Sequence, residues 1–215
     1  MATSFVDVYD LSINQFDSPT ITKAYATSPL QFFRIMYNYL NNSIPMFNNP
    51  LTMPRILADK VIPDGEIETF VGTGLVSTYP LSSTPTVGSY FEYTMNGVTV
   101  DATFDYNTNS TTYITNVPAG QEATTEWYFA GQFNQTLTEP QLLILSRFLT
   151  SNWAMKEKNF QLDIRRLLND NDFKLGSEAN SVRSKVNWYD EMREECAKLM
   201  NDYAWTQKFI TQQGL

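Results

Sequence analysis

The sequence predicts an α+β protein: a helical bundle built on a long C-terminal antiparallel helical hairpin, with a small antiparallel β-sheet domain inserted into it. Three observations carry that prediction. Apolar residues recur every three or four positions on both sides of a polar connector running from Asn169 to Asn180. The hydrophobic period changes from about 3.6 to 2 between residues 61 and 136. Pro45, Pro50, Pro54 and Pro63 mark the passage from the first regime to the second. The expected parts are a helical segment over 1–60, an acidic sheet domain over 61–136, and a hairpin with a tail over 137–215.

Near the N-terminus, Phe5, Val8, Tyr9, Ile13 and Phe16 have helical spacing. Pro19 is expected to end that helix, and Thr20 to Tyr25 is expected to be extended. Ser28-Pro29 then supplies a helix start, with serine as N-cap and proline in the first turn. Leu30, Phe33, Met36, Tyr37 and Leu40 form its apolar face. Phe32, Ile35 and Tyr39 lie off that face, so the helix is apolar on most sides; such a helix is deeply buried or packs against a second chain. Those three are therefore interface candidates. Because proline removes backbone donors and restrains its predecessor, Ile44 to Asp64 reads as irregular, with a short helical turn near Pro54 to Asp59.

In the middle segment Phe91, Tyr93 and Met95 alternate with polar residues, Asn96-Gly97 supplies a type I′ turn, and Val98, Val100, Ala102 and Phe104 alternate on the way back. Asn107 to Ser110 makes a second turn leading into Thr111 to Val117. With Glu66 to Val71 and Trp127 to Phe133, these strands predict one sheet of four or five strands. Long exposed loops are expected where Thr, Ser and Asn accumulate, in Ser77 to Ser89 and Asn107 to Thr115.

Thr138 opens the next helix, and Gln141 can reach back to its amide to complete a capping box. Leu142, Leu145, Leu149, Trp153, Phe160, Ile164 and Leu167 then form one stripe. A second helix starting at Ser177 carries Val182, Val186, Tyr189, Met192, Cys196, Leu199 and Tyr203. Two such stripes can bury each other. Trp153 and Tyr189 are expected in the core. Trp188, Trp205 and, in the weakly charged tail, Phe209 are further candidates for subunit contacts, since exposed aromatics anchor interfaces.

Composition limits the chemistry. The 215 residues contain no histidine, which excludes serine–histidine and cysteine–histidine nucleophile systems and histidine-containing zinc sites. The single cysteine, Cys196, rules out an internal disulfide and reads as a small buried hydrophobe. No run of apolar residues is long enough to span a bilayer, and the first residues lack a basic start and apolar stretch, so a soluble protein made in a cytoplasm is expected. The net charge of −8 is unevenly placed. Nine acids and no Lys or Arg lie between Val61 and Ser146, leaving 14 acids against 15 bases elsewhere. A surface of that sign repels nucleic acid.

Two acidic constellations have a chemical reading beside that of a plain solvated surface. Asp170-Asn-Asp172 resembles the beginning of a calcium loop, but Leu175 and Ser181 occupy positions where such a loop needs glycine and glutamate. A solvated turn is expected there. Glu66 with Glu68 and Asp101 with Asp105 sit at spacings that bring carboxylates onto one strand face, as a hydrolase requires. Nothing marks a substrate cleft beside them, so no catalytic, metal-binding or cofactor-binding residue is expected.

The order of parts in the C-terminal half is distinctive: Leu137-Thr-Glu139, Trp153 in mid-helix, Asn171-Asp-Phe-Lys174, Ser177-Glu-Ala-Asn180 and Asn201-Asp-Tyr-Ala-Trp205. It resembles the C-terminal half of head-to-tail connector proteins, the neck or adaptor proteins of tailed bacteriophages. Tyr37-Asn-Tyr-Leu40 followed by Ser43-Ile-Pro-Met-Phe47 is similar to the end of the early helix in those proteins. The resemblance covers about half of the chain, and its motifs are structural. It implies a non-enzymatic virion component that forms a ring, typically twelvefold, between the portal and the tail. Its partners would be itself, the portal protein and tail or head-closure proteins, with packaged DNA passing through without specific binding and no membrane involved. The acidic sheet domain departs from the shorter all-helical members of the family. The alternative expectation is a tail or baseplate attachment protein whose β domain binds fibres or other tail proteins.

Overall fold

A computed structural model describes residues 2–16, 18–47, 57–169 and 176–213; side chains are described for these except 20, 160–186 and 207–213. Among the described residues the architecture is mixed α+β, with five α-helices of full length and three small antiparallel sheets.

The chain starts with β1 (Thr3–Ser4), whose last residue caps α1 (Phe5–Ile13). The Ser4 hydroxyl accepts from the Val6 amide at 3.2 Å, and the Asp7 carboxylate accepts from the Ser4 amide at 3.1 Å. Phe5, Val8, Tyr9 and Phe16 are buried, as their spacing predicts. The extended segment expected at Thr20 to Tyr25 is instead helical, as part of α2 (Pro19–Thr27). Pro19 opens this helix; the Ser18 carbonyl accepts from the Thr22 amide at 3.2 Å. The β-branched run is overridden by packing. Ile21 and Tyr25 lie one turn apart against the core, and the Tyr25 ring meets Phe32 edge-on at 4.9 Å.

Next comes α3 (Pro29–Ser43), followed by a 3₁₀ turn at Ile44–Met46. Ser28 occupies the expected N-cap position and its carbonyl accepts from Phe32 at 3.0 Å, but its hydroxyl makes no capping bond. Of the expected turn at Pro54 to Asp59, Leu57 and Ala58 are helical; residues 54–56 lie outside the described residues.

The middle of the chain contributes β2 (Lys60–Val61), β3 (Asp64–Val71), β4 (Thr78–Pro80), β5 (Tyr90–Met95), β6 (Val98–Thr99), β7 (Ala102–Asp105), β8 (Ser110–Tyr113), β9 (Glu122–Phe129) and β10 (Gln132–Phe133). The expected turn at Asn96-Gly97 is present, with φ of +50° and +75° at the two residues, as a type I′ turn requires. The single sheet of four or five strands is not. The strands form two sheets, β3-β9-β5-β6 and β4-β8-β7, and a root sheet β1-β10-β2. The return strand changes sheet at Val100–Asp101, so that β6 pairs with β5 while β7 pairs with β8. Alternation shows which side of a strand is buried, not which strand it pairs with. Because the inward side is apolar in both sheets, the two bury each other. Phe70 stacks on Tyr79 at 5.0 Å, Phe91 on Phe104 at 4.6 Å, and the Tyr113 hydroxyl lies 3.0 Å from that of Thr125.

The root sheet brings the two ends of this segment together, since Gln132 pairs with Val61 and Phe133 with Lys60. Between β9 and β10, Gly131 takes a φ of +91° and its carbonyl accepts the Phe5 amide at 3.0 Å. A Cβ there would lie 2.5 Å from the Phe5 ring, so only glycine fits.

Two long helices complete the chain, α4 (Glu139–Asn169) and α5 (Gly176–Gln213). One arm of the expected capping box opens α4: the Thr138 amide donates to Gln141 Oε1 at 2.8 Å. On α4, Leu145, Leu149 and Trp153 are buried as predicted, and Ile144 and Phe148 join them because the helix packs against α1 and α3 as well as α5. On α5, Met192, Cys196 and Tyr203 are buried. The predicted stripe residues Phe160, Ile164, Leu167, Val182 and Val186 lie outside the described side chains, and the connector 170–175 lies outside the described residues.

Candidate interaction surfaces

The six interface candidates fare differently. Phe32 belongs to this chain's own core: it is 1% exposed and flanked by Tyr9, Tyr25 and Phe33. Its position off the main stripe reflects α2, which covers that side of α3. Ile35 is exposed at 40%. Tyr39 is half-buried, with the Lys156 ammonium 5.6 Å from its ring centre. Trp188 is half-buried and meets Trp153 edge-on at 6.1 Å, so it helps to join α4 to α5. Trp205 is 69% exposed. The Phe209 side chain lies outside the described side chains. Of the two expected core aromatics, Trp153 is buried and Tyr189 is half-buried beneath the Lys158 ammonium.

One member of each carboxylate pair is engaged in holding a loop. Glu68 accepts from the Ser82 and Ser83 amides at 2.9–3.2 Å and from the Ser83 hydroxyl at 2.9 Å, tying β3 to the segment after β4. Partial burial raises its pKa, but these hydrogen bonds outweigh that effect and hold it below the ordinary carboxylate value. Asp105 accepts from the Asn107 amide and the Thr108 hydroxyl, both at 2.9 Å, which likewise lowers its pKa. A carboxylate held in its ionised form is a poor proton donor. Asp170 and Asp172 lie outside the described residues. Among the described residues no group of three acidic or thiol side chains is placed to hold a metal ion, and no helix is long and apolar enough to cross a membrane.

Sequence reasoning missed the end of the paired sheets farthest from the helices. There backbone hydrogen bonds join the loops 72–77 and 114–121, with Gly72 donating to Gln121, Gly74 to Val117, Gly120 to Gly72 and Val117 to Val76, and the turn at Asn96-Gly97 is tied to the start of β9 by the Asn96 amide donating to Glu122 at 2.9 Å. Val71, Leu75, Val76, Val98 and Ile114 stand on this end with exposures of 43–84%. The signal was present as Gly74-Leu-Val76 and Gly97-Val98, but aliphatic residues next to glycines in a β segment read as strand interior. At the opposite end the sheets meet α3, where Phe33 packs on Tyr90 at 4.7 Å. Beside that contact Arg34 forms an ion pair with Glu126 at 2.6 Å and lies 5.2 Å from the Tyr128 ring centre.

No protein-family model matches the chain, and comparisons with curated proteins and with solved structures found no match.

Proposed function

We propose that this protein is a structural subunit of a tailed-phage virion, a head-to-tail connector that forms a ring between portal and tail through which DNA passes. The reading starts from the resemblance of the C-terminal half and is supported by one observation on the same segments. Three contacts between α4 and α5 run in opposite directions along the two helices: Gln141 with Tyr203, Arg147 with Glu195 and Trp153 with Trp188. This order supports the reading of α4 and α5 as an antiparallel hairpin, the element on which the connector architecture is built, with the paired sheets as an insertion between β2 and β10. The chemistry of the surface agrees. The acidic sheets repel DNA, as suits a wall or collar beside a passing duplex, and the exposed Ile35 and Trp205 suit lateral packing between subunits.

The test is where the protein sits in the particle. A connector subunit co-purifies with tail-less, DNA-filled heads, and in native mass spectrometry it forms a discrete large oligomer, alone or on its portal. A protein that is absent from such heads and leaves with the tails is not a connector.

A further inference from the structure

We infer that copies of this chain dock head to tail, with the aliphatic end of the paired sheets of one copy seated on the outward face of α3 in the next. The inference deepens the ring reading above and rests on it for its biological setting.

Val71, Leu75, Val76, Val98 and Ile114 are exposed and come from three segments at this end; backbone hydrogen bonds join 72–77 to 114–121, and Asn96, two residues before Val98, donates to the Glu122 carbonyl at 2.9 Å. Exposed apolar patches of this kind mark contact sites. The rim is acidic. Glu122 is the cross-strand partner of Val71, and the Asp101 carbonyl accepts from the Ile114 amide at 3.3 Å; both acids are exposed. The five side chains include no aromatic, and no Lys or Arg occurs between Val61 and Ser146. An anionic lipid surface or a nucleic acid would therefore be repelled, and the surface calls for a protein that is apolar at its centre and cationic at its edge.

The outward face of α3 has that chemistry. The helix contains no acid, and Ile35 is exposed at its centre among Gln31, Asn38 and Asn42. Cations flank it on both sides. The Lys156 ammonium sits by the Tyr39 ring, and the Lys60 ammonium donates to Asn41 Oδ1 at 2.8 Å. Neither lysine has a carboxylate within ion-pair distance among the described residues. The two surfaces differ and lie on different parts of the chain, so the contact is heterologous and propagates, which is what a ring needs.

The test uses two full-length variants, Leu75→Asp with Ile114→Asp at the sheet end, and Ile35→Asp on α3. All three positions are exposed, and circular dichroism checks that the variants fold. Sedimentation velocity should show the wild-type chain associating beyond a dimer and dissociating as salt rises. Each variant alone should stay at the 24.6 kDa monomer. Their equimolar mixture, which retains one intact donor and one intact acceptor surface, should give a single species of about 49 kDa, twice the chain mass. Association of either variant like the wild type overturns the proposal, as does a mixture that stays monomeric. A wild-type chain that is monomeric at its highest soluble concentration also overturns the docking. The connector reading would then still stand or fall on whether the protein is in DNA-filled heads. A photo-crosslinking side chain at position 75 separates the remaining occupants in the particle: an adduct with α3 of a second copy is expected, and an adduct with a different virion protein assigns the sheet end to that protein instead.

Discussion

Gln141 and Tyr203, 62 positions apart, are joined by a buried hydrogen bond of 2.8 Å from the Gln141 amide to the tyrosine hydroxyl. The same glutamine accepts from the Thr138 amide with its other terminal atom, so the residue that starts α4 also fixes where α5 lies against it. Tyr203→Phe keeps the ring in its contact with Phe47 and removes only the hydroxyl. It should cost about 1–2 kcal/mol in a urea titration, because the buried amide loses an acceptor. A cost near zero would show that the pairing contributes nothing to the helix register.

Glycine substitutions separate backbone strain from steric conflict. Gly131→Ala meets both a φ of +91° and the fully buried Phe5 ring at 2.5 Å, and should cost about 3 kcal/mol or more. Gly97→Ala has φ of +75° but nothing within 4 Å, and should cost only ~1–2 kcal/mol. Thermal melts of the two variants should rank them in that order.

Glu68 predicts an acid-dependent loss of stability. Its folded pKa is lowered below 4.5, so its stabilising effect is fully present above that value and is lost as pH falls through the lower folded value. Glu68→Gln should lower the melting temperature at pH 7, and the difference from the wild type should shrink towards pH 3. A difference that does not change with pH would mean that the carboxylate charge plays no part in holding Ser82 and Ser83.

Thr111 is fully buried between the two sheets, and its hydroxyl has no hydrogen-bond partner among the described residues. Thr111→Val removes an unsatisfied polar atom at nearly constant volume and should leave stability unchanged or raise it by about 1 kcal/mol. Chemical denaturation would show the opposite sign if that hydroxyl had a partner.

Burial of Cys196, at 3% exposure, pushes its thiol pKa up to about 11, with the neighbouring Glu195 adding to the effect. Iodoacetamide at pH 8 should leave the folded protein unmodified over hours and label it stoichiometrically in denaturant, as intact mass measures. Rapid labelling of the native protein would place α5 away from α4.

Much of the fold was legible residue by residue. The Gln141 bond to the Thr138 amide, the turn at Asn96-Gly97 and the buried stripe from Leu145 to Trp153 each depend on neighbours within a few positions, and all are where the sequence places them. The candidate sites were less legible. From sequence nothing covers Phe32, because residues 20–25 read as extended, and Glu68 reads as a solvated carboxylate, because its serine partners are 14 and 15 positions away. In both cases the deciding neighbour is remote in sequence.

By itself, then, the sequence determined the period of each segment, the sign of its charge and the chemistry that a chain without histidine cannot perform, since these are properties of composition and local spacing. Only the tertiary structure decided that Pro19 opens a helix, that the return strand crosses to a second sheet at Val100–Asp101, and that five exposed aliphatic residues lie at one end of the paired sheets. The physical reason is that alternation and helical spacing state which side of an element seeks cover. What covers it is settled by the packing of elements far apart in the chain, where burying the remaining apolar surface outweighs local preference.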